Sequence, residues 1–289
     1  MKVLSLFDGI SCGMVALERA GIKVDVYFAS EIDKNAIAIS QKNYPNIVRI
    51  GDVTKWQEWD IEWGEIDLLI GGSPCQGFST AGKQLNFNDE RSKLFFEFVN
   101  ILNHIKSKNA NIKFLFENVK MSNPIRIAIN EMLETWSFSI NSSLFSAQNR
   151  ERLYWTNISK IAIPEDKNIS VSEALGIPDC KVGQFQPYPR NYKQLGLKRT
   201  ERMELRSDNK SNAVITNPNK NKIQYFEKED KYKLYPKYRN ATATECEILQ
   251  TLPIDYTNGC GLSNNQRIKA IGNGWTVDVI AHILKGINQ

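Results

Sequence analysis

The 289 residues, 42% of them hydrophobic, suffice for one full-sized domain with a large core and a smaller second one. Lys and Arg total 37 against 32 Asp and Glu, so the net charge of +5 does not by itself mark a polyanion-binding chain. Five cysteines, odd in number and free of any CxxC pair, argue against a disulfide framework or a thiolate zinc site, and two histidines leave little for histidine-based metal or triad chemistry.

Through the first half, short apolar runs alternate with amphipathic stretches. Val3 to Phe7 reads as a strand, the segment up to Ala20 as a helix, Val24 to Ala29 as a strand, Asn35 to Asn43 as a helix and Leu68 to Ile70 as a strand. Leu94 to Ile105 repeats apolar residues at helical spacing, Phe114 to Phe116 reads as a buried strand, Ile125 to Leu133 as a helix and Leu153 to Thr156 as a strand. This is the pattern of a doubly wound α/β chain, a parallel sheet with covering helices, and it holds to about residue 160. After Pro164 the periodicity fades and Pro, Asn, Lys and Tyr become frequent through residue 240, which predicts an irregular, smaller, inserted domain. Within it, Arg190-Asn191-Tyr192-Lys193 and Lys231-Tyr232-Lys233 mix positive charge with flat stacking surfaces, a composition that suits nucleic acid and equally suits a solvated face. Thr276 to Ile287 returns to a helical apolar pattern and is expected to pack back on the first lobe. Met1-Lys2-Val3-Leu4-Ser5-Leu6 does not read as a charged, apolar leader and no apolar run approaches the roughly 20 residues needed to span a bilayer, so the expectation is a cytoplasmic protein with no leader and no membrane partner.

Chemistry-bearing residues cluster where the predicted strands end. Phe7-Asp8-Gly9, with Gly13, places glycines where a strand hands over to a helix, so backbone can approach a ligand; a plain tight turn accounts for them equally well. Glu31 ends the second apolar run, about 20 residues on, where an acid can accept ribose hydroxyls; a helix-opening acid is the alternative. Asp52-Val53 supplies an acid and an apolar neighbour at a third strand end. Together these point to an adenosine-containing cofactor without separating a nicotinamide from S-adenosylmethionine.

The loop Gly71-Gly72-Ser73-Pro74-Cys75-Gln76-Gly77-Phe78-Ser79 follows the strand ending at Ile70. A lone cysteine is ordinarily a small buried hydrophobe, but flanking Gly, Pro and Ser argue against a packed interior, and positive charge nearby would make the thiol a nucleophile. Glu117-Asn118-Val119 brings a carboxyl to the same edge, as a proton donor to a ring nitrogen or as a structural cap. Arg150 and Arg152 sit one residue apart at the entrance to the next strand and would share a face, either as a surface ion-pair cluster or with one facing a base and thiolate.

These blocks, with Gln148-x-Arg150-x-Arg152 and the late Gly272-Asn273-Gly274, resemble in order the motifs of the DNA cytosine-5 methyltransferases, over nearly the whole chain outside residues 181 to 235. Some blocks are similar to the animal de novo branch and others to bacterial and phage enzymes. The resemblance implies a Rossmann-like S-adenosylmethionine-binding domain over 1–160 plus 262–289 and a target recognition domain over 161–261. It implies methyl transfer to C5 of a cytosine flipped out of duplex DNA, with Cys75 adding to C6, Glu117 on N3, Arg152 on the carbonyl oxygen and Arg150 steadying the site. It assigns Phe7 to the sulfonium, Asp8, Gly9 and Gly13 to the cofactor turn, Glu31 to the ribose, Ile32 to an adenine face and Asp52 with Val53 to its edge. Pro74, Asn273, Trp275 and Thr276 complete the cofactor set, although Gly274-Trp275-Thr276 departs from the commonest pattern. Gln76, Phe78, Ser79, Asn118 and Arg239 are assigned to the substrate side, Arg239 being expected to act structurally by organising the recognition domain.

The product would be S-adenosylhomocysteine, with no metal. The expected partners are double-stranded DNA and, as a possibility of the family, a cognate restriction endonuclease, for a monomer in a bacterial cytoplasm, host- or phage-encoded. Three other readings stay open: methylation of transfer RNA, a catalytically silent DNA-binding relative, which loss of Cys75 or Glu117 would have marked, and a nicotinamide enzyme, for which the chain offers no hydride-handling site.

Overall fold

The computed structural model describes residues 1–74, 90–188, 200–230 and 233–288. They form two compact units: Met1–Asn141 with Glu151–Pro164 and Val277–Gln289, and Ser142–Arg150 with Glu165–Thr276.

In the first unit the alternation seen in the sequence becomes β1 (Lys2–Leu6), α1 (Cys12–Arg19), β2 (Val26–Ser30), α2 (Lys34–Asn43), β3 (Val48–Arg49), β4 (Leu68–Gly71), α3 (Glu90–Lys106), β5 (Lys113–Val119), α4 (Asn123–Leu133) and β6 (Phe138–Asn141). In the second unit lies the two-residue strand β7 (Gln148–Asn149), after which the chain returns to the first for β8 (Glu151–Thr156). The seven-stranded sheet has the order β3-β2-β1-β4-β5-β8-β6, parallel except for β8, which runs against both of its neighbours. It is a mixed α/β fold on a parallel-dominated sheet. Strand order reverses between β1 and β4, so the crevice at their carboxyl ends is where such a sheet can hold a ligand.

Period-two alternation sends Leu4, Leu6, Leu69, Phe114, Phe116, Leu153 and Trp155 into one core with Phe95, Phe98, Ile101 and Leu102 of α3. Phe116 is its centre, with ring centroids 4.8 Å from Phe98, 5.3 Å from Phe95 and 5.7 Å from Trp155. The final helix α8, whose bounds are Val277–Leu284, packs with α1 and is tied to it by Arg19 Nη1 to Asp278 Oδ1 at 2.7 Å.

Where the helical periodicity fades, the second unit builds α5 (Val171–Leu175), β9 (Lys181–Tyr188), β10 (Thr200–Glu204), β11 (Ser211–Asn212), β12 (Lys222–Asp230), β13 (Lys233–Asn240), α6 (Ala243–Leu249) and α7 (Asn264–Asn273). β10-β9-β12-β13 form a four-stranded antiparallel sheet, and β11 pairs in parallel with β7. All three helices start in a capping box, Ser170 with Glu173, Thr242 with Glu245 and Ser263 with Gln266. Among the described residues no helix is long and apolar enough to cross a membrane, and no group of side chains is arranged to hold a metal ion.

Gly71 ends β4 where β1 and α3 close on it. A methyl group there would lie 2.9 Å from the Leu6 carbonyl oxygen and 3.2 Å from the Phe98 ring. Gly71→Ala is expected to cost about 1–3 kcal/mol through overpacking, read as a lower urea midpoint with unchanged slope; an unaltered midpoint would show that the strands part freely there.

Candidate active site

At the carboxyl end of β1 the chain turns through three left-handed residues, Phe7 (φ 56°), Gly9 (φ 59°) and Ser11 (φ 59°). For Phe7 and Ser11 that conformation costs on the order of 1–2 kcal/mol each, so surrounding bonds must hold it. Asp8 N–H donates to the Ser30 carbonyl at 3.0 Å, and Gly9 N–H donates to Glu31 Oε2 at 2.8 Å. The other oxygen of Glu31 accepts from the N–H groups of Ile32 at 2.7 Å and Asp33 at 2.8 Å. The ends of β1 and β2 are thereby fastened to one carboxylate. Beside it Ile32 is 68% exposed, a large apolar side chain left facing solvent at the ligand edge of the sheet.

Asp8 turns inward. Only 8% exposed, its carboxyl accepts from the Tyr27 hydroxyl at 2.7 Å and from Ser11 Oγ, which also meets Ser40 Oγ, and Ser11, Ser40 and Tyr27 are themselves buried. Burial pushes the Asp8 carboxyl above its ordinary value, hydrogen bonds from Ser11 and Tyr27 pull against that, and the charge of Glu31 adds to the rise. Gly13 is buried within α1. Tyr27 and Ser40 carried no motif; the available signal was that a tyrosine on a buried strand needs a partner for its hydroxyl.

At the end of β3, Asp52 Oδ1 accepts from both the N–H and the hydroxyl of Thr54 at 2.9 Å, while the Val53 side chain lies in the core. At the end of β4, Ser73 is buried and Pro74 is exposed. Cys75, Gln76, Phe78 and Ser79 lie outside the described residues. Asn118, on β5 and 2% exposed, reaches across to the root of that loop: its Nδ2 stands 3.4 Å from both the carbonyl oxygen and Oγ of Ser73, and its Oδ1 accepts from Val119 N–H at 2.8 Å. One residue earlier, Glu117 Oε1 pairs with Arg152 Nε at 3.1 Å, both side chains largely enclosed. The register that sets Val119 opposite Arg152 and Glu117 opposite Tyr154 brings acid and guanidinium to the same edge.

The second unit holds the remaining candidates. Arg150 is 7% exposed and donates to the carbonyls of Val214 (3.2 Å), Gly272 (3.4 Å) and Gly274 (3.1 Å). β8 begins only after it, at Glu151, so the two arginines fall in separate compact units. Gln148, fully buried, donates to the Leu249 carbonyl and to Gln250 Oε1, each at 2.9 Å; Gln250 in turn donates to the carbonyls of Ile271 and Gly274 and accepts from Thr276 Oγ1 at 2.8 Å. A polar web thus encloses the Gly272-Asn273-Gly274 turn, with Asn273 exposed, Trp275 half-buried and Thr276 buried. Arg239 is taken up by a two-pronged pair with Glu245, at 2.8 and 2.6 Å. Burial alone would raise the Glu245 carboxyl, but the hydrogen bond from Arg239, with those from Thr242, holds it below its usual range.

The raised Asp8 carboxyl has a signed consequence. A group that holds its proton more tightly when folded contributes stability that is fully present below the unfolded value of 3.8 and is lost as pH climbs through the folded one. Relative to the wild type, Asp8→Asn is therefore expected to gain stability steadily above about pH 4, measured by urea unfolding across pH. A pH-independent difference would sink this assignment.

Comparison with known proteins matches the C-5 cytosine-specific DNA methylase family over residues 1–174. The orphan methyltransferase M.Rho11sI of Bacillus phage rho11s is 36% identical over 180 residues, covering 58% of this chain and 35% of that protein. The type II methyltransferase M1.ScrFI of Lactococcus lactis subsp. cremoris is 37% identical over 174 residues, covering 56% of this chain and 42% of its own length. The match therefore spans less than half of either relative. Among solved structures, the methyltransferase EhMeth of Entamoeba histolytica superposes with a TM-score of 0.69 at 16% identity, covering 99% of this chain and 97% of its own, and DNMT2 of Spodoptera frugiperda with 0.65 at 18%, covering 100% and 99%; these likenesses are of fold. Matched by the family over more than half of its residues, the chain belongs to the C-5 cytosine-specific DNA methylases.

Proposed function

We propose that the protein transfers a methyl group from S-adenosylmethionine to C5 of a cytosine in duplex DNA, through a covalent adduct between Cys75 and C6. The observation that carries the reading is the enclosed Glu117–Arg152 pair at the carboxyl end of β5, beside an asparagine that grips Ser73 two residues before Cys75. An acid held by a guanidinium at a strand end can address a ring nitrogen and a ring carbonyl side by side, which is the demand a cytosine makes.

The donor set also fits an adenosine cofactor. Glu31 keeps acceptor capacity beyond its three N–H bonds, suited to ribose hydroxyls; exposed Ile32 offers an apolar face to the adenine, and Asp52 an acceptor for its amino group. When bound, the sulfonium supplies an electrophilic methyl. The chain's own residues do the rest: the Cys75 thiolate adds to C6 while Glu117 hydrogen-bonds N3, so that the electron pair displaced from the C5–C6 bond is stabilised and C5 becomes the nucleophile. After methylation, loss of the C5 proton expels the thiolate and restores the ring. Arg152 contacts the carbonyl oxygen and orients Glu117. A stacked base cannot reach such a group, so the target is flipped out.

We assign target recognition to the four-stranded antiparallel sheet of the second unit and its Lys- and Tyr-rich sequence, with Arg239 acting as a structural partner of Glu245. Labelled methyl from S-adenosylmethionine is expected to enter duplex DNA. Cys75→Ala is expected to abolish transfer while retaining stabilisation by S-adenosylhomocysteine, and Glu117→Gln to lower kcat by about 10²–10⁴-fold. Incorporation into transfer RNA alone, or an active Cys75→Ala variant, would overturn the substrate or the nucleophile respectively.

A further inference from the structure

The family match covers residues 1–174, and residues 206–216 lie beyond it. Yet a short piece of that later sequence, residues 206–216, is bolted to the segment that holds Gln148 and Arg150. Lys210 is its key. With its side chain only one-tenth exposed, Lys210 Nζ donates to three carbonyls, those of Ser143 at 2.9 Å, Ser146 at 3.3 Å and Ile169 at 2.8 Å, and stands 3.9 Å from Asp166. An ammonium has three protons to give, and here each finds an acceptor.

The lysine is itself braced. Arg206 and Asp208 form a two-pronged pair at 3.0, 3.1 and 2.6 Å, Asp208 accepts from Lys210 N–H at 3.2 Å, Asn209 is left-handed at φ 54°, and its carbonyl accepts from Val171 N–H at 2.9 Å. Immediately after it, Ser211 and Asn212 pair with Gln148 and Asn149, and Ser211 N–H donates to the Ala147 carbonyl. Val214 then gives its N–H to Gln148 Oε1 at 2.7 Å and its carbonyl to Arg150. The same segment leans on the last turn of α7: a methyl group on Gly272 would meet Ile215 C and Thr216 N at 2.8 Å. Lysine bonds, strand pairing and the Val214 contacts thus converge from one sequence segment on the backbone that leads from Ser142 to Arg150, after which the chain passes directly into β8 and Arg152.

We propose that Lys210 is a positioning residue, through which the segment outside the family match sets the seating of Gln148 and Arg150 and thereby the rate of attack on the target base. It touches neither cofactor nor base. The proposal rests on the methyltransferase reading above, and its test separates the two.

The experiment uses the full chain, S-adenosylmethionine and genomic DNA in which cytosine is partly replaced by 5-fluorocytosine, a base whose fluorine cannot leave as the C5 proton does and so traps the adduct. Both the rate of adduct formation and its final stoichiometry are read. Lys210→Met is expected to slow adduct formation by about tenfold or more while reaching the wild-type stoichiometry, and Lys210→Arg, which keeps the charge and the donors, to recover most of the rate. Adduct formation by both variants at the wild-type rate would overturn the proposal, as would a loss seen only as reduced stoichiometry at unchanged rate, which marks a merely structural role. If Lys210→Met is not obtained folded, Lys210→Gln is judged by the same criteria. Failure of the wild type to form any adduct would instead overturn the methyltransferase reading.

Discussion

Three backbone N–H groups converge on the Glu31 carboxylate: that of Gly9 from the turn after β1, and those of Ile32 and Asp33 from its own strand end. Hydrogen bonds to an ionised acceptor are worth roughly twice a neutral one, and the one from Gly9 joins the ends of two neighbouring strands across a separation of 22 residues. The strained turn between Phe7 and Ser11 persists because it is held from above by Glu31 and from within by the Asp8 cluster. That double attachment fixes the backbone from which Ile32 is presented.

A second principle governs the other end of that edge. The antiparallel β8, lying between β5 and β6, starts where the parallel strands finish, so residues early in β8 meet residues late in β5. Arg152 and Glu117 are brought together by that reversal alone. An all-parallel sheet would have sent Arg152 to the opposite rim.

Much of the first unit could be read from the chain because its signals are local. The apolar repeat from Leu94 to Ile105 lies inside α3, and Glu31 and Glu117 were recognisable as acids at strand ends because an apolar run precedes each. What escaped was non-local or chemically muted. β6, Phe-Ser-Ile-Asn, alternates over only four residues, too few to stand out, and β12, which runs Lys-Ile-Gln-Tyr-Phe-Glu-Lys-Glu-Asp, does not separate apolar from polar positions cleanly. The β7–β11 pairing joins two-residue strands some sixty positions apart, and no periodicity announces it. For the same reason Tyr27, Gln250 and Lys210 drew no notice: each acts through a partner remote in sequence.

The division into compact units, with Ser142–Arg150 folded among residues that lie beyond Pro164, bears on how such chains diversify. A recombination event that exchanged the stretch around residues 175–240 for that of a relative would remove the donor from the carbonyls of Ser143, Ser146 and Ile169, and the backbone that closes over Gly272. The crossover points compatible with a working hybrid are therefore set by hydrogen-bond inheritance and not by where the recognisable motifs stop. If Lys210 positions that backbone as proposed, a graft that brings its own cation would keep those three carbonyls supplied with a donor, and one that lacks it would not.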